Sequence, residues 1–186
     1  MFVFTVKGDA ITLEEAENIR ALNQYHNRLT AVGDFSIAIA LIESKSYHNE
    51  TEKRELLKHL NESLNTSIKV FGSMADMSLR ALAIQAYIGI DPEEALRQAR
   101  VCVRRIDETS ITGMWSKAEF LRLEAEALLV VPSANIEEVN VREHEAKMLL
   151  REAVKIAVQE NALAVCLKVK TTLSKIHFIL VACRFM

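Results

Sequence analysis

The sequence predicts an all-α fold built as a stack of antiparallel helix pairs, and three observations carry that expectation. Apolar residues recur at three- and four-residue steps along most of the chain from Thr12 onward. Only five glycines and two prolines occur in 186 residues, too few for the many turns of a β-sandwich or barrel. Small residues stand where paired helices would have to cross closely, above all Ala83 and Ala95, twelve positions apart.

The elements follow in order. Met1 to Val6 alternates Phe2, Phe4 and Val6 with Val3 and Thr5, the pattern of a short strand that has no partner strand elsewhere. Thr12 with Glu15 forms a capping box, and Leu13, Ala16, Ile19 and Leu22 continue as a helix to about Arg28. Gly33 is expected to break the pattern, with Asp34 capping a second helix that carries Ile37, Ala40 and Leu41. After the polar break Asn49-Glu50-Thr51, Leu56, Leu57, Leu60, Leu64 and Ile68 mark a long amphipathic helix that stops near Gly72. Met74 to Ile88 is helical, with Gly89 suited to the position after a helix end. Asp91-Pro92-Glu93-Glu94 opens the next helix, to about Ile106, with a capping aspartate, a first-turn proline and two acids where the helix dipole favours them. Further helices are expected at about Met114 to Val130, Val141 to Glu160 and Ala162 to His177. A loop from Pro132 to about Val139 separates the first two, and only Asn161 marks the seam between the last two.

Composition bounds function. With 23 basic against 25 acidic residues the net charge is −2, so nothing electrostatic points to nucleic acid. Three cysteines without a CxxC pair exclude a disulfide framework and argue against a cysteine-rich metal site. No apolar run reaches the roughly 18 residues that span a bilayer, and MFVFTVKGDA lacks the basic start of a signal peptide. The expectation is a cytoplasmic protein with no membrane partner.

A helix-turn-helix repeat needs a bulky residue on its first helix, apolar or small residues at +3, +4 and +7, and a small residue opposite on the second. Leu79, Leu82, Ala83 and Ala86, answered by Ala95, Ala99 and Cys102, satisfy this with the spacing of the tetratricopeptide repeat. Leu121, Ala125 and Leu128, answered by Ala146, Leu150 and Ala153, obey it in part, because Glu124 occupies the +3 position. The 42-residue step from Leu79 to Leu121 exceeds the usual period of about 34, which makes these repeats degenerate. An ordinary helical bundle is the alternative that the spacing leaves open.

The segment WSKAEFLRLEAEALL, Trp115 to Leu129, resembles the W-x-x-A-E-x-x-R-L-x-G-E-L-L-L segment of degenerate tetratricopeptide tails in large bacterial regulators of ATPase and nucleotide-cyclase type. The matches are Trp115, Ala118, Glu119, Arg122, Leu123, Glu126, Leu128 and Leu129, with Ala125 in place of glycine. Ala146, Leu150, Ala153, Ala157, Ala162, Leu167 and Leu173 fall on the same tail's next helix pair, and Ala83 to Val101 is similar to the preceding one. The resemblance covers about residues 74–176. It implies a tetratricopeptide-like superhelix and a non-catalytic protein-binding role, as part of a larger signalling protein. The family's phosphate-binding loop and cyclase domain have no counterpart, since neither GxxxxGK(S/T) nor GxGxxG occurs. The ending HFILVACRFM departs from such tails and reads as a truncated remnant.

For the partner surface, the expectation is a concave face made of first helices, with Arg80, Gln85, Lys117, Arg122 and Lys168 on their exposed sides. The partner is a protein or peptide, with a homodimer through an uncovered terminal repeat as a further outcome. No cofactor, catalytic residue or metal is expected. His26, His48, His59, His144 and His177 form no HxxxH or HExxH, and Glu143-His144-Glu145 point around a helix. Cys102 and Cys166 read as small core residues, and Cys183 has no basic motif beside it. Asn49, Asn61 and Asn65 head glycosylation acceptor patterns that read as polar surface without a secretory signal. Tyr87, Trp115 and Phe120 read as packing residues, and the apolar run Phe178 to Cys183 as an association hazard if uncovered. Arg97, Arg100 and Arg104 form a basic stripe, extended by Arg105, that reads as a solvated face. Two alternatives stand beside the binding module: a catalytic or small-ligand-binding helical protein with an inter-helix pocket, and a DNA-binding regulator using Arg97 to Arg105.

Overall fold

A computed structural model of the chain describes residues 27–109, 117–133 and 135–183. Seven helices account for them: α1 (Asn27–Glu43), α2 (Glu50–Phe71), α3 (Ser73–Ile90), α4 (Pro92–Thr109), α5 (Lys117–Val130), α6 (Ile136–Gln159) and α7 (Leu163–Cys183). Among the described residues there is no strand, and the fold is all-α. The expected N-terminal strand, the Thr12 capping box, Trp115 and the last residues of the tail lie outside the described residues. The chain divides into two compact units, Met1–Leu79 and Arg80–Met186, with the boundary inside α3.

In the first unit α1 packs against α2. The expected break at Gly33 is not there, because α1 runs through Gly33 and Asp34 without interruption. A helical glycine costs only about 1 kcal/mol against alanine, and the burial of Phe35, Ala38 and Ile42 just beyond it outweighs that preference. α1 ends where Lys45 turns into the left-handed region at φ 52. There the Ser46 N–H donates to Leu41 O and the Lys45 N–H to Ile42 O, both at 3.0 Å, which closes the last turn. Asn49 then caps α2. Its Oδ1 accepts from the Glu52 N–H at 2.9 Å, while the Glu52 carboxylate accepts from the His48 N–H at 2.7 Å. The polar break expected at 49–51 is therefore the first turn of a helix rather than a loop. α2 buries Leu60 and Leu64 along one stripe and ends at Gly72 (φ 71) as expected, a backbone conformation that glycine adopts without strain.

In the second unit, successive helices pack on their chain neighbours: α4 on α5, α5 on α6, and α6 on α7. α3 continues through Gly89 to Ile90, so Gly89 is helical rather than a terminator, and the turn falls on Asp91. Asp91 caps α4 as expected, accepting from the Glu94 N–H at 3.2 Å, with Pro92 in the first turn. α6 starts five residues earlier than the apolar pattern suggests, because Asn135 caps it and accepts from the Glu138 N–H at 2.9 Å. The loop from α5 is held by Arg142, whose Nη1 donates to the carbonyls of Val131 and Pro132, each at 2.8 Å. Asn161 makes the tight turn into α7 with φ 54, satisfied by Ala162 N–H to Ala157 O at 2.8 Å.

The core of this unit has small residues at its crossings. Ala118, Ala125, Ala146, Ala153 and Ala157 are fully buried together with Leu121, Leu128 and Leu150, and Cys166 and Val169 of α7 close the cluster. Cys102, Tyr87 and Phe120 are buried, as their sequence context suggests. Two residues depart from the repeat pattern. Leu82, expected to face the second helix, is 41% exposed, and Leu167 is 68% exposed.

Candidate functional site: the charged stripe of α5 and the surface around it

α5 reads KAEFLRLEAEALLV, and its two polar and apolar stripes separate by helical geometry. Ala118, Leu121, Ala125 and Leu128 take the face that joins the core. Glu119, Arg122 and Glu126, at steps of three and four, share another face. Despite carrying charge, Glu119 and Arg122 are almost wholly buried, at 1% and 4% exposure.

Their burial is compensated by direct pairing. Arg122 meets Glu119 in a two-pronged contact, Nε to Oε2 at 2.9 Å and Nη2 to Oε1 at 2.8 Å, and its Nη1 lies 2.6 Å from Glu126 Oε2. α7 completes the network from outside: Lys168 Nζ donates to Glu119 Oε1 at 3.0 Å, and Thr172 Oγ1 donates to Glu126 Oε1 at 2.5 Å. Two carboxylates thus balance two cations. Burial by itself would push the Glu119 carboxyl up, but the Arg122 hydrogen bonds and charge, helped by Lys168, outweigh it and hold the group below the usual carboxylate range. For Arg122 desolvation acts against the charge, and the bonds to Glu119 and then Glu126 raise its pKa above the ordinary value.

A second network ties three helices together. Arg100 of α4 donates through Nε to Glu124 of α5 at 2.9 Å and through Nη2 to Glu145 of α6 at 2.8 Å. The hydrogen bond to Glu124 is the main reason that the Arg100 pKa is raised. Glu124, the residue that spoils the +3 position of the repeat pattern, is buried because it has this partner. Near the start of α5, Lys117 Nζ meets Asp107 of α4 at 2.6 Å.

The five residues expected on the partner face are thus distributed unequally. Gln85 is exposed on α3, and Arg80 is half-buried on the same helix. Lys117 is partly exposed and paired with Asp107, and Lys168 is half exposed and paired with Glu119. Arg122 is the correction: it does not lie on an exposed side, because its guanidinium is buried between Glu119 and Glu126. The basic stripe of α4, Arg97, Arg100 and Arg104, is exposed as expected, and two of its arginines are also paired. Arg97 is clamped on Glu94 at 2.6 Å, a contact that lowers the Glu94 pKa, and Arg100 is turned into the inter-helix network. No group of three or more His, Cys, Asp or Glu that could hold a metal ion is found among the described residues, and no helix there is long and apolar enough to cross a membrane. Cys183 and His177 have no described side chain.

The network's chemistry is that of a clasp. Glu119 is held ionised by three hydrogen bonds, two from Arg122 and one from Lys168. Sequence reasoning missed this clasp, although the E-x-x-R-x-x-x-E spacing of Glu119, Arg122 and Glu126 was a signal for an intrahelical ion triad. Nothing local announced that Lys168 and Thr172, 49 and 46 residues away from their partners, would complete it. Comparisons with known proteins find no family model that matches the chain and no similar curated protein or solved structure.

Proposed function

We propose that the chain is a non-catalytic protein–protein interaction module of tetratricopeptide type, serving as a scaffold or regulatory part of a larger signalling protein. The observation that carries this reading is the row of fully buried alanines at the helix crossings of the second unit, Ala118, Ala125, Ala146, Ala153 and Ala157. Close crossings between chain neighbours are the packing on which helical repeat arrays are built, and such arrays present extended binding surfaces. The partner residues in this reading are Arg80 and Gln85 of α3, Lys117 at the start of α5 and Lys168 of α7; Arg122 supports α5 from within rather than touching a partner.

The DNA-binding alternative is disfavoured by a specific observation. Arg97 and Arg100 are already paired, Arg97 with Glu94 and Arg100 with Glu124 and Glu145, which offsets their charge. The acids beside them weaken the attraction for a phosphate backbone. The catalytic alternative lacks a charged group left free to act within the α5 network.

The test is capture of partners on the immobilised full chain, compared with a variant combining R80A, Q85A, K117A and K168A. Loss of capture with an unchanged helical spectrum supports the reading. Unchanged capture removes this face from it, and turnover or a thermal shift with a small ligand would favour the catalytic class instead.

A further inference from the structure

The turn between α6 and α7 is specified less firmly than the other described junctions. α2 ends on Gly72, α4 opens with Pro92, and Pro132 stands between α5 and α6. Each of these opposes a helix that runs straight through. Asn49, Asp91 and Asn135 cap α2, α4 and α6. α7 has neither device. The bond that opens it, Cys166 N–H to Ala162 O at 3.0 Å, starts from an alanine, which has no side chain to cap with, and its first turn holds no acid. From Ile136 to Cys183 there is no glycine or proline, and Gln159, Glu160, Ala162, Leu163 and Ala164 around the turn are strong helix formers. Glu160 keeps a right-handed backbone (φ −86, ψ 0), and the reversal is made where Asn161 enters the left-handed region at φ 54. That conformation is costly for an L residue. With Asn161 right-handed, α6 and α7 become one helix from Ile136 to Cys183, roughly 70 Å long.

Straightening takes α7 out of its own groove. Cys166 and Val169 leave the alanine-rich cluster of Ala118, Ala146, Ala153 and Ala157, while Lys168 and Thr172 leave Glu119 and Glu126. In the vacated groove Arg122 alone faces two carboxylates beside an apolar floor. The helix that matches this groove in shape and charge is α7 itself, and a second copy straightened in the same way presents it. Reciprocal exchange fills both grooves, and the Lys168–Glu119 and Thr172–Glu126 bonds re-form between copies. The closed and exchanged forms then share these contacts and differ at the hinge, Glu160 to Ala162, which is the condition under which helix swapping is cheap.

We propose that the chain pairs with a second copy of itself by exchanging α7, with Asn161 as the hinge at which α6 and α7 straighten into one helix. The surface involved is the α5–α6 groove that α7 fills. The inference is independent of the binding-module reading and uses neither Arg80 nor Gln85.

Light scattering behind a sizing column, on the full chain over about a hundredfold range of concentration, is expected to show a monomer–dimer equilibrium. N161A disfavours the left-handed turn and favours the straight helix, so it should tighten dimerisation at least tenfold, two hinges changing per dimer. N161G keeps the turn and weakens the helix, and should loosen dimerisation several-fold. Spin labels at M148C and S174C, both exposed positions, separate exchange from side-by-side pairing. They are read in a C102A/C166A/C183A chain diluted with unlabelled protein. In the folded-back hairpin the labels lie within roughly 20 Å of each other. In the straightened helix the 26 residues from 148 to 174 hold them roughly 39 Å apart. The dimer fraction should give the long distance and the monomer fraction the short one. A monomer at every concentration, in N161A as in the wild type, overturns the proposal. So does a dimer that keeps the short distance, which would be pairing without exchange. Equal dimerisation of N161A and N161G overturns it as well and needs no label, so it holds even where the cysteine replacements disturb the core.

Discussion

Helices α5 and α7 pack on the same neighbour, α6, yet they solve opposite problems. From Ala118 to Leu128 every residue of α5 except Glu126 is buried. In α7 up to Ser174 only Cys166, Val169 and Thr172 are. The enclosed helix nevertheless carries the denser mixture of charge, three glutamates with Lys117 and Arg122, whereas the open one carries cations alone. Charge in an enclosed helix is tolerable only when each group meets its opposite, because an unpaired buried ion costs several kcal/mol. On an open face water solvates each ion, and no such pairing is imposed. Enclosure therefore explains the paired pattern of α5, and exposure explains how α7 can carry cations with no acid in its own sequence, Lys168 reaching Glu119 of α5 instead.

The sharpest way to break this comparison is R122A. It leaves Glu119 buried without its main partner and should destabilise by about 3–5 kcal/mol, read by urea unfolding. Replacing both Glu119 and Arg122 by leucine and methionine should recover most of that loss, since the cost lies in the orphaned charge. If R122A is nearly neutral, the enclosure of α5 is not what the geometry says. Next comes the core that both helices share: L150A, at a fully buried site, should cost about 2–5 kcal/mol, while L167A on the open face should stay within about 0.5 kcal/mol. Equal effects of the two would mean that α7 is covered on both sides.

The comparison also has a pH signature. Because the Glu119 pKa is lowered in the folded chain, its contribution is fully present above the unfolded carboxylate pKa of about 4.3 and is lost as the pH falls toward the folded value. Unfolding followed from pH 7 down to pH 3 should show the wild type losing more stability than E119Q, whose side chain does not titrate. A smaller effect is expected at the turn that joins α6 to α7. Asn161 stands at φ 54, so N161A should cost about 1 kcal/mol or slightly more while N161G is close to neutral. Thermal melts would show the difference.

Several elements were legible in sequence for reasons that are local. Asp91 before Pro92 announces the start of α4, Gly72 the end of α2 and Asn161 the turn before α7, because caps and left-handed turns depend on one or two residues. The alanines at 125, 146 and 153 announced close crossings, and all are buried. Gly33 and Gly89 misled because glycine's preference, about 1 kcal/mol, is smaller than the packing of a whole helix face. Asn135 was read as loop because apolar periodicity becomes visible only after the first turn, although an asparagine three residues before Glu138 was the better start signal. Leu82 and Leu167 fit a repeat pattern but face outward, since a pattern states which residues share a helix face and not whether another helix covers it.

Read alone, the sequence determined that the chain is all-α, where most helices begin and end, and which small residues sit at the crossings. These follow from period, caps and side-chain size, all of which act within a few residues. Only the tertiary structure decided that Arg122 is buried rather than presented, that Arg100 joins three helices through Glu124 and Glu145, and that Lys168 closes a clasp on Glu119. The physical reason is distance along the chain: a charge on a helix surface looks the same in sequence whether water or a partner 49 residues away awaits it, and only the fold brings that partner to 3.0 Å.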